Sequence, residues 1–261
     1  MLSIGHIQLF ILALTRILMA NSRIPVLGGE MIPTQVRLGL GVLLTLAIAP
    51  WQNLAKGNAA ATVGAGLPEP LGLYPFAICL GRELLIGALI GFAAGLAFDA
   101  AQIAGEVMGL ESGFGSDRVF NPVVGASSPA FAQLFNLAAI LIFLMIDGHA
   151  HFILALAHTF EAIPLQAPLP LESLDIAISQ VSRLIMAGVQ MGMPMLASLF
   201  LADLALGLLS RVAPHIQVYF LGLPFKIALT FFGLGVVFTV LIPPLENLFR
   251  DIGPRILALG L

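Results

Sequence analysis

The chain has 261 residues, 59% of them apolar and only 10% charged, and its 11 basic and 14 acidic residues give a net charge of −3. A soluble domain carries about 25% charged residues, so this sequence, with a mean hydropathy of +1.03, lacks the polar groups to cover a globule in water. The charge balance leaves no basic footprint for nucleic acid, and a single cysteine, Cys79, excludes an intrachain disulfide.

Charges cut the chain into charge-free windows at 1–15, 38–55, 84–98, 119–146, 148–160, 184–202 and 227–245. A spanning helix needs roughly 20 apolar residues. The first window continues through Arg16 to Met19 and has no basic leader, so it reads as a retained helix rather than a cleaved signal. Window 38–55 ends early, at Pro50. Residues 52–72, rich in Gly, Ala and Pro, read as a connector, as do residues 161–172 with Pro164, Pro168 and Pro170. Window 84–98 works as a span if its flanking charges are tolerated. The Gly- and Ser-rich stretch from Glu111 to Pro129 interrupts the helical pattern before the apolar part of window 119–146. Windows 184–202 and 227–245 fit a span well. No long run alternates apolar with polar residues, which argues against a transmembrane β-barrel, so an all-α polytopic membrane protein is expected.

One packing signal stands out. Gly87, Gly91 and Gly95 recur every four residues and share one helix face, with Asp99 next on the stripe. Small residues at this spacing let a second backbone approach closely. The partner is either another helix of this chain or another subunit.

Charges in apolar surroundings are costly. Arg82, Glu83, Glu106, Asp203 and Arg211 are therefore expected to be buried and paired between helices, with a proton or ion relay as the competing reading. Asp147, His149 and His151, followed by His158, look superficially like a metal site, but the first three share no helix face, and neither a metal nor another cofactor is expected. Met186, Met191, Met193 and Met195 crowd one helix around Pro194 and suit core packing or a deformable lining. Nucleophile-elbow, zincin and phosphate-loop signatures do not occur, so an enzyme is not expected. Arg250 and Arg255 after the last window favour a cytoplasmic C-terminus.

A set of short motifs in a fixed order carries a resemblance. Arg23-Ile-Pro-Val-Leu-Gly-Gly-Glu-Met-Ile-Pro33 is followed by Arg37-Leu-Gly, then Gly81-Arg82-Glu83 and the glycine stripe. Ala104-Gly105-Glu106 to Gly109, Asn121-Pro122, and Phe143 to His149 come next, then Asp203-Leu-Ala-Leu-Gly207, Arg211-Val-Ala-Pro214 and Gly222-Leu-Pro224. Over nearly the whole chain this resembles the FliR family of flagellar export-gate proteins, whose injectisome relatives are the SctT family. The resemblance implies a non-enzymatic subunit of the type III export gate in the bacterial inner membrane, at the flagellar basal body. It implies FliP and FliQ as channel partners, FlhB and FlhA as neighbours, and unfolded flagellar proteins as cargo. It also implies a FliP-like helical region over 1–172 and a FliQ-like helical hairpin over 173–261, packed in a helical gate assembly. In that hairpin one helix would run to about Ala213, Pro214 to Pro224 would turn the chain, and the second helix would break near Pro243-Pro244. A channel plug loop is implied at Glu111, Gly113, Phe114, Gly115, Phe120, Asn121 and Pro122. Glu111, where an amide is expected, and Asp117-Arg118, where apolar residues are expected, depart from the family pattern and make that seal more polar. The alternative is an ion-coupled small-molecule transporter, which would show an inverted repeat; the glycine stripe has no counterpart after residue 173.

Overall fold

The structure, a computed structural model, describes residues 4–29, 32–48, 71–113, 130–165, 172–215 and 217–258. All regular elements among them are helices: α1 (Ile4–Asn21), α2 (Pro25–Gly28), α3 (Thr34–Ile48), α4 (Leu73–Glu111), α5 (Ala130–Met145), α6 (Gly148–Ala162), α7 (Glu172–Val212), α8 (Val218–Arg250) and α9 (Ile252–Ala258). Four stretches are long and apolar enough to cross a bilayer: Ile4–Asn21, Leu73–Glu111, Ile178–Val212 and Phe220–Arg250. The pair α5 and α6 makes a fifth if counted as one broken span. In lipid a backbone must satisfy its own hydrogen bonds, and uninterrupted helices do so. The protein is an all-α, multi-pass membrane protein.

The described residues fall into two compact units. The first draws on Met1–Leu96, Asp147–Gln180 and Phe249–Leu261. Its core is the contact of α1 with the first part of α4. Leu12, Ala13, Ile17 and Ala20 form the buried stripe of α1, and Ile86, Ile90, Ala93 and Ala94 that of α4. At the foot of α1 the chain reverses tightly into α2, with Pro25 at its start. The Ile24 and Gly28 amides donate to the Asn21 and Ile24 carbonyls at 3.1 and 2.8 Å. Gly28 lies against the Asn21 carbonyl, where a Cβ would collide. Helix α3 packs on α1, where Gly41 lies beneath the Leu18 side chain. Helix α9 packs on α6, with Gly253 facing Ala155. The N-terminal residue preceding α6, Asp147, adopts a left-handed backbone with φ 54°.

The second unit draws on Ala97–Ile146 and Val181–Leu248. Here α4 contributes Ala100, Ala101, Ala104 and Met108 to the core, α5 contributes Phe131, Phe135 and Phe143, and α7 and α8 contribute Met191, Met195, Leu199, Val237 and Leu241. Phe98 meets Phe143 edge-to-face at 5.3 Å and Phe135 stacks on Phe238 at 5.6 Å. Gly105 lies against the Phe131 carbonyl of α5, and Gly188 of α7 against the Ala100 carbonyl.

The hairpin differs in detail from the expectation. Helix α7 ends at Val212, one residue early, but α8 begins at Val218, well before Pro224, and runs unbroken through Pro243 and Pro244. Proline's φ of about −65° is helical, so an interior proline can be accommodated at the cost of one amide donor and of crowding against the carbonyl four residues back. A helix in apolar surroundings keeps its remaining bonds because the alternative leaves several groups unsatisfied.

Candidate functional site

The glycine stripe places two backbones against each other within the first unit. A Cβ on Gly87 would lie 2.5 Å from the Arg16 carbonyl oxygen. One on Gly91 would lie 2.8 and 2.9 Å from the Ala20 and Met19 oxygens, and one on Gly95 would lie 3.3 Å from the Arg23 Cβ. The partner of this face, left open by the spacing, is α1 of the same chain.

That close approach brings Arg16 into the interior. Its guanidinium is fully buried, and Nε donates to Glu83 Oε2 at 2.6 Å. Nη1 donates to the Thr159 and Ile163 carbonyls at 3.1 and 2.9 Å, at the end of α6. The charge also lies 4.5 Å over the Phe160 ring. Arg82 Nη2 donates to the other Glu83 oxygen at 2.5 Å. Glu83 therefore holds two arginines, and Arg16 ties α1, α4 and α6 together. A carboxylate with both oxygens engaged and an arginine with backbone acceptors offset part of the cost of removing these ions from water. At the open end of α1, Gln8 clamps the chain before α4: its Nε2 donates to the Leu71 carbonyl at 3.0 Å, and the Leu71 amide donates to its Oε1 at 2.8 Å.

Of the five charges expected to be buried, Glu83 is fully so and Arg82 nearly so. Glu106, Asp203 and Arg211 are exposed. Asp203 still has a partner, the ammonium of Lys226 on α8, 2.8 Å from each carboxylate oxygen. Arg16, the residue that organises the node, entered the sequence reading only as an argument against a signal peptide. Its signal was available, namely one lone cation within an apolar run.

In the second unit, the end of α4 and the tips of α7 and α8 enclose a cleft of about 530 Å³. Glu111 and Gly113 line it from α4, Asp203 and Ser210 from α7, and Gly222 and Lys226 from α8. Gly113, with φ 85°, ends the helix in a backbone that glycine adopts readily. Thus Glu111 and Gly113 of the expected plug occupy the rim of this cleft. Phe114, Gly115, Phe120, Asn121 and Pro122 lie outside the described residues.

The histidines are dispersed. His151 Nδ1 sits 3.1 Å from the Asp147 carbonyl, and His158 Nδ1 sits 3.2 Å from Glu161 on the exposed face of α6. Among the described residues no three His, Cys, Asp or Glu side chains come close enough to hold a metal ion. Met191 and Met195 are core residues, whereas Met186 and Met193 are exposed. Cys79 is half-buried.

The arrangement is one of close helix contacts, a buried ion node and a cleft with charged and apolar lining, within a multi-pass membrane protein. The chain belongs to the bacterial export proteins, family 1, whose model matches residues 7–252. It is 31% identical to flagellar biosynthetic protein FliR of Pectobacterium carotovorum subsp. carotovorum, over 95% of this chain and 91% of the relative. It is 30% identical to flagellar biosynthetic protein FliR of Escherichia coli strain K12, with the same coverage of each. To Yop proteins translocation protein T of Yersinia pestis it is 28% identical over 60% of this chain and 61% of the relative.

Proposed function

We propose that this chain is a subunit of the flagellar type III export gate, forming with FliP and FliQ the channel through which unfolded flagellar proteins leave the cytoplasm. The observation that carries this reading is near end-to-end similarity, at 30–31% identity, to two proteins named for flagellar biosynthesis. The similarity to a Yop translocation protein covers only 60% of the chain, which favours the flagellar over the injectisome system. On this reading the chain sits in the inner membrane at the flagellar basal body and has FlhB and FlhA as neighbours. Residues 1–172 act as the FliP-like part and 173–261 as the FliQ-like hairpin. The segment from Glu111 to Pro122 closes the channel, and Glu111 and Gly113 at the rim of the cleft suit that role. The protein is a conduit and not an enzyme. No observation favours the ion-coupled transporter.

The test is a strain lacking this gene. It should be non-motile and fail to secrete hook and filament subunits, and the full chain should restore both. Tagged chain should co-purify with FliP and FliQ from detergent-solubilised membranes. Normal flagellar secretion in the deletion strain overturns the reading.

A further inference from the structure

The cleft at the end of α4 carries an unbalanced negative charge. Of its ionic side chains, Lys226 and Asp203 satisfy each other, with Nζ 2.8 Å from each carboxylate oxygen. Glu111 is exposed, and among the described residues no hydrogen bond or ion pair reaches its carboxylate. It is also the last residue of α4, whose final turn has no basic residue. The closing carbonyls of a helix carry the negative end of its dipole and favour a cation, whereas a carboxylate there adds to the same sign. A side-chain charge and a helix end thus call independently for a cation in one place.

The rest of the lining says which cation. Leu110, Leu206, Val218 and Leu223 give the cleft apolar walls, a poor setting for a metal ion, which wants several oxygen ligands. Among the described residues no three His, Cys, Asp or Glu side chains group closely enough to supply them. Apolar walls that end at a carboxylate suit the aliphatic stem and charged head of lysine or arginine. At about 530 Å³ the cleft has room for such a side chain and for the main chain that bears it. Gly207 lines it with nothing within 4 Å of where a Cβ would lie, which lets a second backbone come close.

We propose that this cleft takes a lysine or arginine on an extended segment of another export-gate protein; the proposal rests on the chain being a gate subunit. The basic head donates to Glu111 and neutralises the end of α4. Its stem lies along Leu206 and Leu223, and the segment's main chain passes over Gly207. Complementary charge of this kind fixes the register of an interface and rejects wrong partners.

Photo-crosslinking from Ser210, on the wall of the cleft, tests this. The tagged full chain, with p-benzoylphenylalanine in place of Ser210, is expressed in the deletion strain, irradiated in cells and digested for mass spectrometry. The attached peptide should come from another gate protein and carry Lys or Arg within a few residues of the attachment point. Glu111→Gln should lower the yield about two- to fivefold, and Glu111→Lys should lower it further. Crosslinking from Phe232, exposed on the hairpin, should stay unchanged in both. Gly207→Leu narrows the cleft without touching a charge and should also lower the yield. In the purified chain Glu111→Gln should keep or raise the unfolding midpoint, because it removes an uncompensated charge at a helix end. A lower midpoint means that Glu111 has a partner within this chain and overturns the proposal. A crosslink to this chain itself, a crosslinked segment without Lys or Arg, a yield indifferent to Glu111→Lys, or no crosslink from Ser210 overturns it too. Failure of the gate reading shows separately, as normal secretion by the deletion strain without any copy of the chain.

Discussion

The α1–α4 contact and the α7–α8 hairpin are built from similar apolar sequence but are finished differently. In the α1–α4 contact, glycines bring backbones together and a buried ion node fills the end of the interface. About two thirds of the α4 span is buried within the chain, against 22% and 17% for the spans of α7 and α8. The hairpin holds itself together through Met195 against Gly233, Leu206 against Gly222, and the Asp203–Lys226 pair. Phe200, Phe220, Phe225, Phe231 and Phe232 point away from it. Apolar sequence alone therefore does not say whether a helix is closed by its own chain. Small residues and paired charges mark the closed face, and bulky side chains mark the face that lipid or other proteins must cover.

The largest expected effect tests the node. Glu83→Gln leaves Arg16 buried without its carboxylate and should destabilise the chain by about 3–5 kcal/mol, read as a loss of folded protein in detergent. The double variant Arg16→Met/Glu83→Leu removes the two fully buried charges, leaves only the partly exposed Arg82, and should be milder than Glu83→Gln alone. If it is worse, the node's hydrogen bonds matter more than its charge balance.

Next comes the stripe, where the cost should follow the space available. Gly87→Ala and Gly91→Ala push into carbonyl oxygens that cannot move without the backbone, costing about 1–3 kcal/mol each. Gly95→Ala, against a side-chain carbon, should cost less, and Gly207→Ala, in open space, should be neutral or stabilising. Equal urea midpoints for all four variants would break the comparison.

In the hairpin, Gly233→Ala meets only the flexible end of Met195 and should cost little. Removing the half-exposed Asp203–Lys226 pair through Lys226→Met should cost about 0.2–1 kcal/mol. The smallest effect on the isolated chain is expected at Phe232, which is 86% exposed. Phe232→Asn should leave the unfolding midpoint unchanged yet lower recovery with FliP and FliQ. A lowered midpoint instead would mean that the hairpin closes on itself more than its exposure indicates.

The sequence revealed local features well and distant pairings poorly. Windows 184–202 and 227–245 lie inside α7 and α8, because hydropathy acts over short spans. The stripe was legible as a protein-facing surface, but its partner was not, since spacing on one helix does not name the helix opposite. Arg16 and Glu83 are 67 residues apart, and Thr159 and Ile163 lie still further along the chain. Only the fold makes them neighbours. Pro243-Pro244 misled in the opposite direction: a strong local breaker was overridden by the cost of opening a helix in apolar surroundings.

The same separation has a consequence for how the protein is made. Arg16 leaves the ribosome 67 residues ahead of Glu83, which at roughly 5–20 residues per second is about 3–13 s. Its carbonyl acceptors on α6 follow later still. During that interval α1 carries a bare cation that the bilayer interior disfavours. Pairing of α1 with α4 before either leaves the insertion machinery would spare the chain that cost.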